Sequence, residues 1–129
     1  MRGRNYKFEA VYRPSEFAHE LRDCTVRALS NVLGTPYAKA HAYLKAQGRN
    51  DRETFSCYGA YIGLGLRDFQ LDGATARYRR LTVGQWLKSG KLPPRCIMRI
   101  NGHVFAVVHG VVLDTYPVYS GSRVRHIFA

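Results

Sequence analysis

Residues 95 to 116, "RCIMRINGHVFAVVHGVVLDTY", hold three runs rich in β-branched and apolar residues, parted by two dipeptides, Asn101–Gly102 and His109–Gly110. A two-residue break ending in glycine between such runs is a strong local signal for chain reversal, so the block predicts a three-strand antiparallel meander. Asn-Gly at the first corner predicts a type I′ turn there, and a fourth strand, "RVRHIF", is expected after the turn at residues 120 to 122. A sheet of this kind must have its apolar side covered, and the residues before it supply helices to do so.

In "DCTVRALSNVLG" Ala28, Leu29, Val32 and Leu33 share one helical face; Asp23 is placed to cap the start at Cys24 and Gly34 to end it. Thr35 and Pro36 read as N-cap and first residue of a second helix, in which Tyr37, Ala40, His41 and Leu44 form a buried stripe and Gly48 is the stop. The two make a helical hairpin. Thr82 with Gln85 three residues on is a capping box for a third, short helix that Gly90 closes. At the N-terminus "YKFEAVY" alternates Tyr6, Phe8, Ala10 and Tyr12 with polar residues, a half-buried strand that Pro14 interrupts, and Ser15 is placed to cap a short turn. Between Arg49 and Arg80 glycines at 59, 63, 65 and 73 break every period, and the region reads as mixed. Helices first and sheet second make one α+β domain spanning residues 1–129.

The hydrophobic fraction of 46% suffices for a packed core, and 20 Lys and Arg against 9 Asp and Glu give a net charge of +11. That charge favours nucleic acid, acidic proteins or anionic surfaces as partners. The densest run is Arg77, Arg79 and Arg80 around Tyr78, with "RGRNYK" as another. Read plainly both are solvated surface; read functionally they contact phosphates. Three cysteines without paired spacing indicate neither a disulfide framework nor a zinc site, and no stretch approaches the ~18 apolar residues of a membrane span. A soluble, reduced, cytoplasmic protein without metal or membrane is expected. Cys57, Cys96 and His41 read as core residues and His109 as a turn residue, while "YGAYIGLGL" lacks the Lys-Ser or Lys-Thr of a phosphate loop.

If Val108 and Val111 flank the second turn, Phe105 faces Asp114 and His103 faces Tyr116, with all four side chains on one side of the hairpin. His103 and Asp114 are then diagonal neighbours. An imidazole held by a carboxylate, on a sheet that packs against a helix opening with cysteine, is what thiol nucleophilic catalysis requires. Unpaired amides and the dipole at a helix start favour thiolate, and with a neighbouring imidazolium lower a thiol pKa from its usual ~8.5. The Asp23 charge opposes this unless it is otherwise engaged. Alone, Cys24 is as well explained as a small buried residue; the three residue types together argue for a nucleophile.

"DCTVRAL" and "NGHVFAVVHGVVLD" resemble the papain-like cysteine peptidases, and among them the compact branch of bacteriocin-leader peptidases and small phage-encoded proteins. The resemblance covers about a quarter of the chain. It implies a papain-like fold, Cys24 as nucleophile, His103 as general base and acid, and Asp114 as the residue orienting His103. It further implies a peptide or protein substrate, no cofactor, and a host-cell cytoplasm if the chain is phage-encoded. These peptidases commonly carry a glutamine several residues before the cysteine as an oxyanion donor, and "SEFAHELRD" has none. The backbone N–H of Cys24 supplies one donor, and Arg22, His19, Asn101, Gln47 and Gln85 are the candidates for another. The alternative, from a different class, is a non-catalytic basic module on the same fold that binds nucleic acid or an acidic host protein.

Overall fold

The structure is a computed structural model, and it describes residues 6–20, 22–50, 57–68 and 81–129. In chain order its elements are β1 (Lys7–Ala10), a 3-10 turn (Ser15–Phe17), α1 (Cys24–Leu33), α2 (Tyr37–Ala46), α3 (Cys57–Gly63), α4 (Val83–Ser89), β2 (Arg95–Ile100), β3 (His103–Val108), β4 (Val111–Asp114) and β5 (His126–Phe128).

The glycine-marked block folds as the meander β2-β3-β4, with Ile100 opposite His103 and Val108 opposite Val111 across the two corners. The turn chemistry departs from the expectation at the first corner. At Asn101–Gly102 only Gly102 takes a positive φ (74°), so the turn is not type I′; at the other corner both His109 (φ 50°) and Gly110 (φ 80°) are left-handed. Two further strands flank the meander, giving the order β1-β4-β3-β2-β5. β5 is shorter than the run "RVRHIF" and pairs antiparallel with β2, Arg99 facing His126. β1 lies parallel to β4, with Lys7 beside Val111 and Ala10 beside Asp114, which makes the sheet mixed rather than antiparallel. It is shorter than the alternating pattern: the period ends at Ala10, and Tyr12 lies beyond the strand, 72% exposed.

Helices cover both faces. Val26, Ala28, Leu29 and Val32 of α1, Tyr37, Ala40 and Leu44 of α2 and Tyr61 of α3 pack with Ile97, Val104, Ala106 and Phe128 of the sheet. Small side chains at Ala28, Ala40 and Ala106, all buried, let these backbones approach closely. On the opposite face Val83 and Trp86 of α4 cover Cys96, Met98, Phe105, Val107, Val112 and Ile127. The alternation along β3 explains the division: even-numbered residues meet α1 and odd-numbered ones meet α4. The architecture is α+β in three layers.

The caps are mixed in outcome. Gly34 ends α1 in the left-handed conformation (φ 67°), and the capping box of α4 is complete, with Gln85 N–H donating to Thr82 Oγ1 and Thr82 N–H to Gln85 Oε1. Asp23 does not cap α1 through its side chain, and Thr35 does not cap α2, which begins one residue later than the proline pattern suggests. Leu33, expected on the buried face, is 43% exposed. His41 is buried on the α2 stripe, as its spacing indicates. The mixed region resolves in part as α3; Arg77, Arg79, Arg80, the first five residues and the Cys57 side chain lie outside the described residues. Among the described residues no helix is long and apolar enough to cross a membrane.

Candidate active site

Three terminal positions converge at one end of the sheet. Cys24 opens α1, His103 opens β3 and Asp114 closes β4. Residues inside β3 are held to one face or the other by the pleat, but a residue at the rim can be reached from a helix packed on either side. His103 Nε2 is 2.6 Å from Asp114 Oδ2. This bond leaves Nδ1 as the ring nitrogen available to the sulfur. The imidazole is partly exposed, with 31% of its side-chain surface accessible, whereas the Asp114 carboxylate is buried.

The charges are mutually supportive. Burial opposes ionisation of the Cys24 thiol, but hydrogen bonding to His103, the Val104 backbone N–H and the positive charges of His103 and Arg27 outweigh it, and its pKa falls below the ordinary thiol value. Burial likewise opposes charge on His103, yet the hydrogen bonds to Asp114 and Cys24 and their negative charges push its pKa up to about 9. Burial would raise Asp114; the hydrogen bond and charge of His103, the Thr115 N–H at 2.8 Å and the Arg27 charge hold it below the usual carboxylate range. All three shifts favour thiolate, imidazolium and carboxylate together.

Asp23, which sequence reasoning set against the thiolate, is answered from three sides. Its Oδ1 accepts from Arg13 Nη1 at 3.2 Å and Arg27 Nε at 3.0 Å, and its Oδ2 accepts from the Tyr37 hydroxyl at 2.8 Å. Its carboxylate is therefore spent on side chains instead of helix amides, and the first turn of α1 carries no side-chain cap. Arg27, a residue the sequence analysis did not single out, also donates through Nη1 to Asp114 Oδ1 at 3.0 Å. The Asp23–Arg27 spacing of four was a legible signal of their contact. Behind this layer Glu20 is fully buried and holds Arg49, Nη2 to Oε1 at 2.8 Å and Nη1 to Oε2 at 3.3 Å, together with His41 Nε2 at 2.7 Å. Nothing in the local sequence signals that ion cluster, since its members are far apart along the chain.

The five oxyanion candidates are scattered. Arg22 and His19 are exposed on the segment leading into α1, and the Arg22 carbonyl accepts from Arg49 Nη2 at 3.3 Å. Asn101 is exposed in the corner just before His103. Gln47 lies at the end of α2, on the returning arm of the helical hairpin. Gln85 is on α4, across the sheet from α1, with its amide oxygen engaged by Thr82, so it does not join the group. Upstream of Cys24 the buried Glu20 and Asp23 are acceptors already engaged, Glu20 by Arg49 and His41 and Asp23 by Arg13, Arg27 and Tyr37. Cys96 is buried in β2 without a polar partner to stabilise a thiolate, and burial pushes its pKa up to about 12.

Compared with known proteins, the chain matches no family model, no curated protein and no solved structure at a significant level.

Proposed function

We propose that the chain is a cysteine peptidase or amide hydrolase of papain-like kind, working through an acyl-enzyme on Cys24. The observation that carries this reading is the convergence of Cys24 and Asp114 on His103, with the 2.6 Å imidazole–carboxylate bond. The resemblance of "DCTVRAL" and "NGHVFAVVHGVVLD" to papain-like peptidases supports it independently of geometry.

In the proposed reaction the Cys24 thiolate attacks a substrate carbonyl carbon. The carbon–nitrogen bond breaks as His103 gives its proton to the leaving amine, and a thioester remains. Water then adds to the thioester, His103 takes a proton from it, the carbon–sulfur bond breaks, and the acid leaves as the thiolate returns. Asp114 keeps Nε2 hydrogen-bonded throughout, so that Nδ1 is the nitrogen that handles the proton. The backbone N–H of Cys24 is one donor to the oxyanion, with Asn101 and Arg22 the side chains nearest in chain and element to the reacting groups.

The test is labelling by a peptidyl acyloxymethyl ketone followed by mass spectrometry. Cys24 is expected to carry the label and Cys24→Ala to lose it; persistent labelling at Cys57 or Cys96 would overturn the assignment. A second reading, binding of nucleic acid or an acidic protein, is favoured by the +11 charge and by Arg67, Arg123 and Arg125 exposed near the β5 edge. It uses other atoms than the first, and a Cys24→Ala protein is expected to keep any such binding.

A further inference from the structure

Asp114 must present one oxygen to His103 and hold it there, and the fold gives that task to few groups. Its Oδ2 meets His103 Nε2, while its Oδ1 accepts from the Thr115 N–H at 2.8 Å and from Arg27 Nη1 at 3.0 Å. Thr115 is the next residue in the chain and moves with Asp114. Arg27 belongs to the helix that carries the sulfur, on the turn after Cys24, so it is the link between nucleophile helix and orienting carboxylate.

The guanidinium is itself fixed. Nε donates to Asp23 Oδ1 at 3.0 Å, Asp23 is held by Arg13 and the Tyr37 hydroxyl, and only 13% of the Arg27 side-chain surface is accessible. Two carboxylates from two elements thus occupy two separate nitrogens of one planar group. From this geometry we propose that Arg27 is a positioning residue, bracing Asp114, and through it His103, against Cys24. The proposal rests on the hydrolase reading above. Lysine has no second nitrogen to span both carboxylates, so a charge without the fork should not replace it.

Iodoacetamide alkylation of Cys24, followed by mass spectrometry across pH, tests the proposal without needing the substrate. The proteins compared are wild type, Arg27→Gln, Arg27→Lys, Asp114→Asn and the double variant Arg27→Gln/Asp114→Asn. With bracing, Arg27→Gln moves the alkylation midpoint up by about one pH unit, roughly a tenfold loss of thiolate below it. Arg27→Lys recovers less than half of that shift, and Arg27→Gln adds nothing measurable on top of Asp114→Asn. Three results would overturn the proposal: a wild-type midpoint in Arg27→Gln, full rescue by lysine, which makes Arg27 a charge only, or an undiminished Arg27→Gln effect in the Asp114→Asn background. Should Arg27→Gln fail to fold, the lysine variant alone decides between bracing and charge. A wild-type midpoint at or above ~8.5 sinks the hydrolase reading itself, and is told apart because it appears before any arginine is changed.

Discussion

An acidic residue directly before a nucleophilic thiol disfavours its ionisation unless something answers the charge. At Asp23 two arginines and a tyrosine hydroxyl answer it, which removes the tension the sequence alone posed. The pH behaviour follows from the directions of the shifts. Thiolate forms as pH rises through the lowered pKa of Cys24, and the imidazolium that the proposed chemistry uses to protonate a leaving amine is lost as pH rises through about 9. Hydrolysis is therefore expected to plateau between those limits, a profile measurable with any cleavable peptide. Replacing Asp114 by Asn removes the charge that raises His103, so the alkaline limit should fall by roughly one to three units; NMR titration of the imidazole reads it directly. Cys24 and His103 were legible beside a helix-start and a corner signal, and Asp114 through the register counted from the second corner. Arg49 and Glu20 were not, since their partners lie far off along the chain, and Arg27 was marked only by its spacing of four from Asp23, not by its contact with Asp114.

Elements were legible where one period ran its length. α1, α2, α4 and the meander follow from helical faces, glycine stops and two-residue corners, whereas the pairing of β5 with β2 and the parallel placement of β1 beside β4 depend on long-range contacts with no local mark. The Asn101–Gly102 corner shows the limit of turn rules: the dipeptide suits type I′, yet the strands it joins select another geometry. Gly34 is a place where local chemistry has no latitude. With φ at 67° and a β-carbon there only 3.1 Å from Arg95 Nη2, Gly34→Ala is expected to cost about 1–2 kcal/mol in urea denaturation. Thr82→Ala, which removes the capping box of α4, should cost about 0.5–2 kcal/mol. Because α4 packs on the face away from α1, the Thr82→Ala protein should keep wild-type Cys24 alkylation, and that contrast separates stability from site integrity.

At the scale of the whole molecule the charge of +11 sets long-range behaviour regardless of chemistry. Any nucleic-acid binding should weaken steeply between about 50 and 200 mM salt, and a gel shift with random-sequence RNA that ignores salt would argue against a phosphate-directed surface. The two faces of the sheet unite residues from across the sequence, so the site depends on the entire domain and not on a local motif. The parallel seam between β1 and β4 carries a consequence for biosynthesis. The sulfur leaves the ribosome early, while its imidazole, its carboxylate and the partner of the first strand are all translated late. A nascent polypeptide thus bears an unassisted thiol, and on the proposed chemistry its hydrolytic power switches on only once the later strands have emerged and paired.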